Sequence, residues 1–91
     1  MTYSVRGIVQ GQVQGVGFRN HLKQAVKSTQ IVGHALNLPD RTVEVLLIGD
    51  SSEVKQLQQA ALEGSRYSHV DNIDWEVLED QAVFAEGFRV G

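Results

Sequence analysis

Gly11-Gln12-Val13-Gln14-Gly15-Val16-Gly17-Phe18-Arg19 decides how this chain is read. Ahead of it, Val5, Val9 and Val13 share a two-residue phase with Gly7 and Gly11 between them, the pattern of a strand over Val5 to Val13 with close backbone approach on one side. Behind it, Phe18, Leu22, Ala25, Val26 and Thr29 recur at the spacing of one helix face, which predicts a helix from Phe18 to about Gln30. The glycines therefore stand where a strand hands over to a helix N-terminus. They let the main chain turn tightly and expose its N–H groups, while the helix dipole and the Arg19 guanidinium add positive character at the same point. Such a loop fits one phosphate group. It lacks the closing Lys-Ser/Thr of a nucleotide P-loop and the glycine spacing of a dinucleotide fingerprint, so ATP, GTP and NAD are poor candidates.

Further along, Val32 to Asn37 and Thr42 to Ile48 read as strands joined through Leu38-Pro39-Asp40-Arg41, whose Pro and Asp favour a hairpin reversal with Asn37 at its rim. Asp50 followed by Glu53 predicts a capped second helix, with Val54, Leu57, Ala61 and Leu62 facing the core and Gly64 ending it. Ser65 to Asn72 reads as a loop, Ile73, Trp75 and Val77 alternate as a strand, and Phe88 with Val90 suggests a short last strand. The order strand, helix, strand, strand, helix, strand predicts an α+β, ferredoxin-like sandwich. Its sheet is mostly antiparallel, both helices cover one face, and a short C-terminal strand closes the order.

At 91 residues and 42% hydrophobic content the chain is expected to form one domain with one core, and it has no cysteine for a disulfide framework or a thiol nucleophile. A net charge of -3 gives no basic field, so no nucleic acid and no membrane is expected as a partner. Without a signal-like N-terminus or a long apolar run, a soluble, cytoplasmic protein is the expectation, and a single small domain makes a monomer the default. His21, His34 and His69 are too dispersed for a metal set, so they read as surface or packing residues and no metal or cofactor is implied. Asp71, Asp74, Glu76, Glu79 and Asp80 alternate with apolar residues like the solvated face or edge of a strand rather than a paired-carboxylate site. Ser51 and Ser52 belong to a helix start, and Trp75 reads as core.

The string Gly11-x-Val13-Gln14-Gly15-Val16-x-Phe18-Arg19 resembles the signature of the acylphosphatase family. Val32-Gly33-His34-Ala35-Leu36-Asn37-Leu38-Pro39-Asp40 is similar to the family's second motif, and Val43-Glu44-Val45 followed by Gly49 to its next strand. Looser similarity runs through the second helix to Phe88-Arg89-Val90, so that residues 1–91 read as a single acylphosphatase-like domain. This chain departs from the pattern at His34, where the family usually has an aromatic residue, and at Ala35, where it often has Val. Arg41 replaces the turn glycine, and Gly64-Ser65 stands for the usual Gly-Pro.

The resemblance implies hydrolysis of the carboxyl–phosphate bond of a small acyl phosphate, without metal, with Arg19 binding phosphate and Asn37 orienting the attacking water. Gln14, Gly15, Val16, Gly17, Phe18 and Arg19 would form the phosphate cradle. The residue chemistry suits these roles: Arg19 offers forked, charge-assisted bonds, and an uncharged carboxamide at Asn37 orients water without repelling a dianion. The alternative is a non-catalytic ferredoxin-like module that binds an anion or metabolite, or an accessory domain related to the acylphosphatase-like part of larger maturation factors. RNA binding on the sheet face would need aromatic residues that Val5 to Val13 and Thr42 to Ile48 lack.

Overall fold

The computed structural model describes residues 2–78 and 85–91. Its elements run β1 (Thr2–Gln12), α1 (Phe18–Val26), β2 (Val32–Asn37), β3 (Val43–Asp50), α2 (Ser51–Glu63), β4 (His69–Val77) and β5 (Phe88–Val90). The sheet is five-stranded in the order β4-β1-β3-β2-β5, antiparallel except where β5 lies parallel to β2. This is the ferredoxin-like α+β sandwich expected from the element order.

The β1 pattern works as its phase requires. Val5, Gly7 and Val9 lie opposite Leu47, Val45 and Val43 of β3, and the side chains of Val5, Val9, Val43, Val45 and Leu47 are all fully buried. Phe18, Leu22 and Val26 from α1 and Val54, Leu57 and Ala61 from α2 close over them, so both helices cover the same face. Among the described residues no polar or charged residue is buried, and burial of this apolar set is the main force holding the layers together. The close approach expected at the glycines is present. A Cβ at Gly7 would lie 2.5 Å from the Trp75 ring, and one at Gly11 would collide with the main-chain oxygen of His69. Trp75 is accordingly a half-buried residue packed against the core.

Several boundaries differ from the sequence reading. α1 stops at Val26 rather than near Gln30, because the hydroxyls of Ser28 and Thr29 donate to Ala25 O and Val26 O and take over the last helical carbonyls. β1 starts at Thr2 and β3 runs to Asp50, since Thr2 pairs with Asp50 at the end of the shared ladder. β4 begins at His69, inside the stretch read as a loop, where Gly11 and Gln12 pair with Val70 and His69 beyond a register shift. Leu62 is 56% exposed, not core: Val54, Leu57 and Ala61 define the buried stripe, and the ~100° turn per residue carries position 62 off it. Asp50 caps α2 through Ser52 N, while the Glu53 carboxylate accepts from Gln30 N across to the end of α1.

The face without helices carries Arg6, Glu44 and His34 on adjacent strands. Arg6 Nη2 lies 2.7 Å from Glu44 Oε1, and His34 Nε2 lies 2.8 Å from Glu44 Oε2. Partial burial alone would raise the Glu44 pKa, but the hydrogen bonds from Arg6 and His34 outweigh it and hold the carboxyl below its ordinary value. The departure at His34 therefore lies on this outer ladder, whereas Ala35 is fully buried in the core. Asp71, Asp74 and Glu76 are exposed along β4, as their alternation implied; Glu79 and Asp80 lie outside the described residues.

Candidate active site

β1 delivers the glycine loop to α1, and the loop is closed at both shoulders by buried side chains. Val13 and Phe18 are each 1% exposed, so residues 14–17 span a short gap between two points fixed in the core. Gly15 and Gly17 both hold left-handed backbone, at φ 74 and φ 80, which an L side chain adopts only under strain. Gly17 is also the N-cap of α1 and supplies no side-chain cap, and the first helical turn contains no acidic residue. The first amide to bond back into the helix is that of His21, which donates to Gly17 O. The N–H groups of Phe18, Arg19 and Asn20 are therefore the unpaired donors of a helix N-terminus, with the positive end of the dipole behind them.

These donors border a cavity of about 170 Å3 lined by Gly15, Gly17, Phe18, Arg19 and Asn20, with Val13 and Val90 as its apolar wall. Phe18 contributes main chain only, since its ring is in the core. Asn20 is not among the residues singled out by the sequence reading, although its place in the first helical turn is the signal that marks it. Gln14 and Val16 do not line this cavity; they line a neighbouring cleft of about 400 Å3 together with Arg41. The Gln14 side chain instead crosses to the β2–β3 turn, where Nε2 donates to Leu38 O and to Thr42 O, both at 2.9 Å. The loop and the turn that follows Asn37 are thus pinned together.

Arg19 and Asn37 meet just beyond β5. Arg19 Nη1 donates to Gly91 O at 2.5 Å, and the Asn37 main-chain N–H donates to the same oxygen at 2.9 Å. The two positions come from α1 and the end of β2, and the parallel seating of β5 against β2 brings the shared acceptor between them. Asn37 is exposed, and among the described residues no protein group bonds its carboxamide. None of the three histidines lies in the cavity lining: His21 Nε2 meets Ala60 O on α2, His34 meets Glu44, and His69 meets Asp71.

An α+β sandwich in which unpaired helix-start amides and an arginine border one small cavity has the donor chemistry to take a small anion. A family model described as Acylphosphatase matches residues 5–90. The acylphosphatase of Photobacterium profundum is 41% identical over 86 residues, 94% of this chain and 93% of that protein. The chain belongs to the acylphosphatase family, and its activity is that of an acylphosphatase, hydrolysis of an acyl phosphate. The crystal structure of acylphosphatase from Bacillus subtilis superposes with a TM-score of 0.90 at 28% identity, covering 100% of this chain and 99% of that one. Full-length HypF shares the fold alone, with a TM-score of 0.84 at 17% identity over 12% of its length.

Proposed function

We propose that this domain hydrolyses acyl phosphates by holding the phosphoryl group in the loop while an oriented water attacks phosphorus, with no metal taking part. The Arg19 guanidinium and the N–H groups of Gly15, Gly17, Phe18 and Arg19, which border the cavity, bind the equatorial phosphoryl oxygens and stabilise their charge during transfer. Asn37 orients the water through its carboxamide. As the bond from water oxygen to phosphorus forms, the bond from phosphorus to the acyl oxygen breaks and the pair leaves as carboxylate. The water's proton passes to a phosphoryl oxygen, giving orthophosphate. A mixed anhydride has a good leaving group, so positioning and electrostatics suffice without a general base.

The observation that carries this reading is the shared acceptor. One oxygen accepts from both the Arg19 guanidinium and the Asn37 main chain, so the two residues flank a single point beside the cavity of unpaired amides. We further infer that residues 1–91 act as one domain, as a cytoplasmic monomer that takes small acyl phosphates and not nucleic acid. In a hydrolysis assay on a simple acyl phosphate, Arg19→Ala is expected to lower kcat/KM by about 100-fold or more and to weaken orthophosphate binding. Arg19→Lys loses most turnover because an ammonium cannot make the forked contact. Asn37→Ala is expected to lose rate while orthophosphate affinity stays within about twofold. A chelator leaves the wild-type rate unchanged. Equal activity in all variants removes both role assignments, and orthophosphate binding without hydrolysis by the wild type selects the non-catalytic module instead.

A further inference from the structure

We propose that Ser65 is a positioning residue that locks the Val16–Gly17 peptide and keeps the Gly17 N–H aimed into the phosphate cradle. This rests on the reading of the loop as that cradle. Ser65 Oγ donates to Val16 O at 2.8 Å, a part-buried bond between the α2–β4 connection and the loop. In a planar trans peptide the carbonyl of one residue and the N–H of the next point in opposite directions. Fixing the Val16 carbonyl toward Ser65 therefore fixes the Gly17 N–H away from Ser65. Gly15 and Gly17 line the cavity and Val16 does not. Among the described residues no protein group accepts from the Gly17 N–H.

The lock matters because Val16 packs against the core through its side chain, whereas Gly17 has no side chain to hold the orientation of the peptide plane. Gly17 ends it and Gly15 lies one residue before it, and a Cβ at either glycine would meet no atom within 4 Å. Rotation of the peptide plane would turn the Val16 carbonyl oxygen toward the bound anion and replace a donor by a repelling dipole. Ser65 is itself held firmly. Its N–H donates to Ser68 Oγ at 2.7 Å, and Ser68 returns bonds from Oγ and N–H to Ser65 O at 3.0 and 3.1 Å. A Cβ at Gly64 would collide with Ser68 Oγ, so the short connection is closely packed. A proline at position 65, which the family resemblance leads one to expect, would supply neither the hydroxyl nor the N–H of this arrangement.

Loss of the lock lowers the fraction of molecules with a competent cradle, and apparent affinity falls by that fraction. Ser65→Ala is expected to raise the dissociation constant for orthophosphate and the KM for an acyl phosphate together, by about fivefold, the size expected for one net hydrogen bond. Its kcat stays near wild type and its urea midpoint falls by no more than the loss of one hydrogen bond allows, Ser65→Thr restores the affinity, and the Gly17 amide resonance loses part of its phosphate-induced shift in Ser65→Ala. An unchanged orthophosphate affinity in Ser65→Ala overturns the proposal and leaves the catalytic reading standing. So does a fall in kcat that merely tracks lost stability. If the wild type binds orthophosphate without turnover, weaker binding by Ser65→Ala still supports the lock while the catalytic reading fails.

Discussion

The glycine loop at residues 14–17 and the hairpin turn at 38–42 are both tight reversals, they are pinned to each other by Gln14, and they are built on opposite rules. The loop puts glycine at both left-handed positions and leaves open space where the missing side chains would be. The turn puts Arg41 at φ 73, the single non-glycine residue with positive φ among the described residues. Around it the main chain is over-determined. Arg41 N donates to Leu38 O, Leu38 N donates to Thr42 O, and the Thr42 N–H and hydroxyl both donate to Asp40 Oδ1. Pro39 presets the backbone at the first corner of a three-residue hairpin whose last position is left-handed. Strain is tolerated where the chain only has to reverse; glycine is kept where something else has to come close.

The contrast is most exposed at its foundations, because the loop is held by buried side chains and the turn by hydrogen bonds. Phe18→Ala is expected to destabilise the protein by about 3–5 kcal/mol, read as a shift in urea midpoint, since it empties a core position at the loop's shoulder. A loss below about 1 kcal/mol would mean that the loop is not founded in the core. Arg41→Gly acts in the other direction. Relief of the left-handed strain, offset by the greater freedom of glycine in the unfolded chain, is expected to stabilise by about 0.5–1 kcal/mol. No gain in thermal midpoint would show the turn to be unstrained. The smallest effect is a titration. Hydrogen bonds from the Thr42 side chain and main chain lower the Asp40 pKa below its ordinary 3.8. A depressed carboxyl braces the turn at pH above that value and lets go as pH falls through the lower, folded one. The Thr42 amide resonance is therefore expected to move between about pH 4 and strong acid, while those of Gly15 and Gly17, with no carboxylate bonded to them, stay in place.

Much of this was legible in the sequence because period and turn chemistry are local. The two-residue phase of Val5, Val9 and Val13 announces both the strand and its glycine-side contacts, and Phe18, Leu22 and Val26 announce the helix that ends the loop. What could not be read depends on partners distant in sequence. A strand as short as Phe88–Val90 has no period to speak of, and its parallel seating beside β2 is set by bonds such as Gly33 N to Gly87 O and Gly91 N to Ala35 O. The meeting of Arg19 and Asn37 on Gly91 O follows from that seating, so it too was hidden. The early end of α1 is less remote: Ser28 and Thr29 are residues whose hydroxyls compete for helical carbonyls, a signal that the apolar spacing of Thr29 masks. Ser65 illustrates the same limit in reverse. In the sequence it is only a departure from the Gly-Pro pattern, and its bond to Val16 O becomes visible once the fold brings residues 16 and 65 together.

Val13 and Phe18, the two shoulders of the glycine loop, are among the fully buried side chains of the molecule. The recognition element is thus a short bridge whose piers stand in the interior, with no hinge of its own about which to fray. On warming, it has no separate melting step below that of the domain. The proposed hold on an anion is therefore expected to persist until the interior gives way and to be lost with it in one cooperative event.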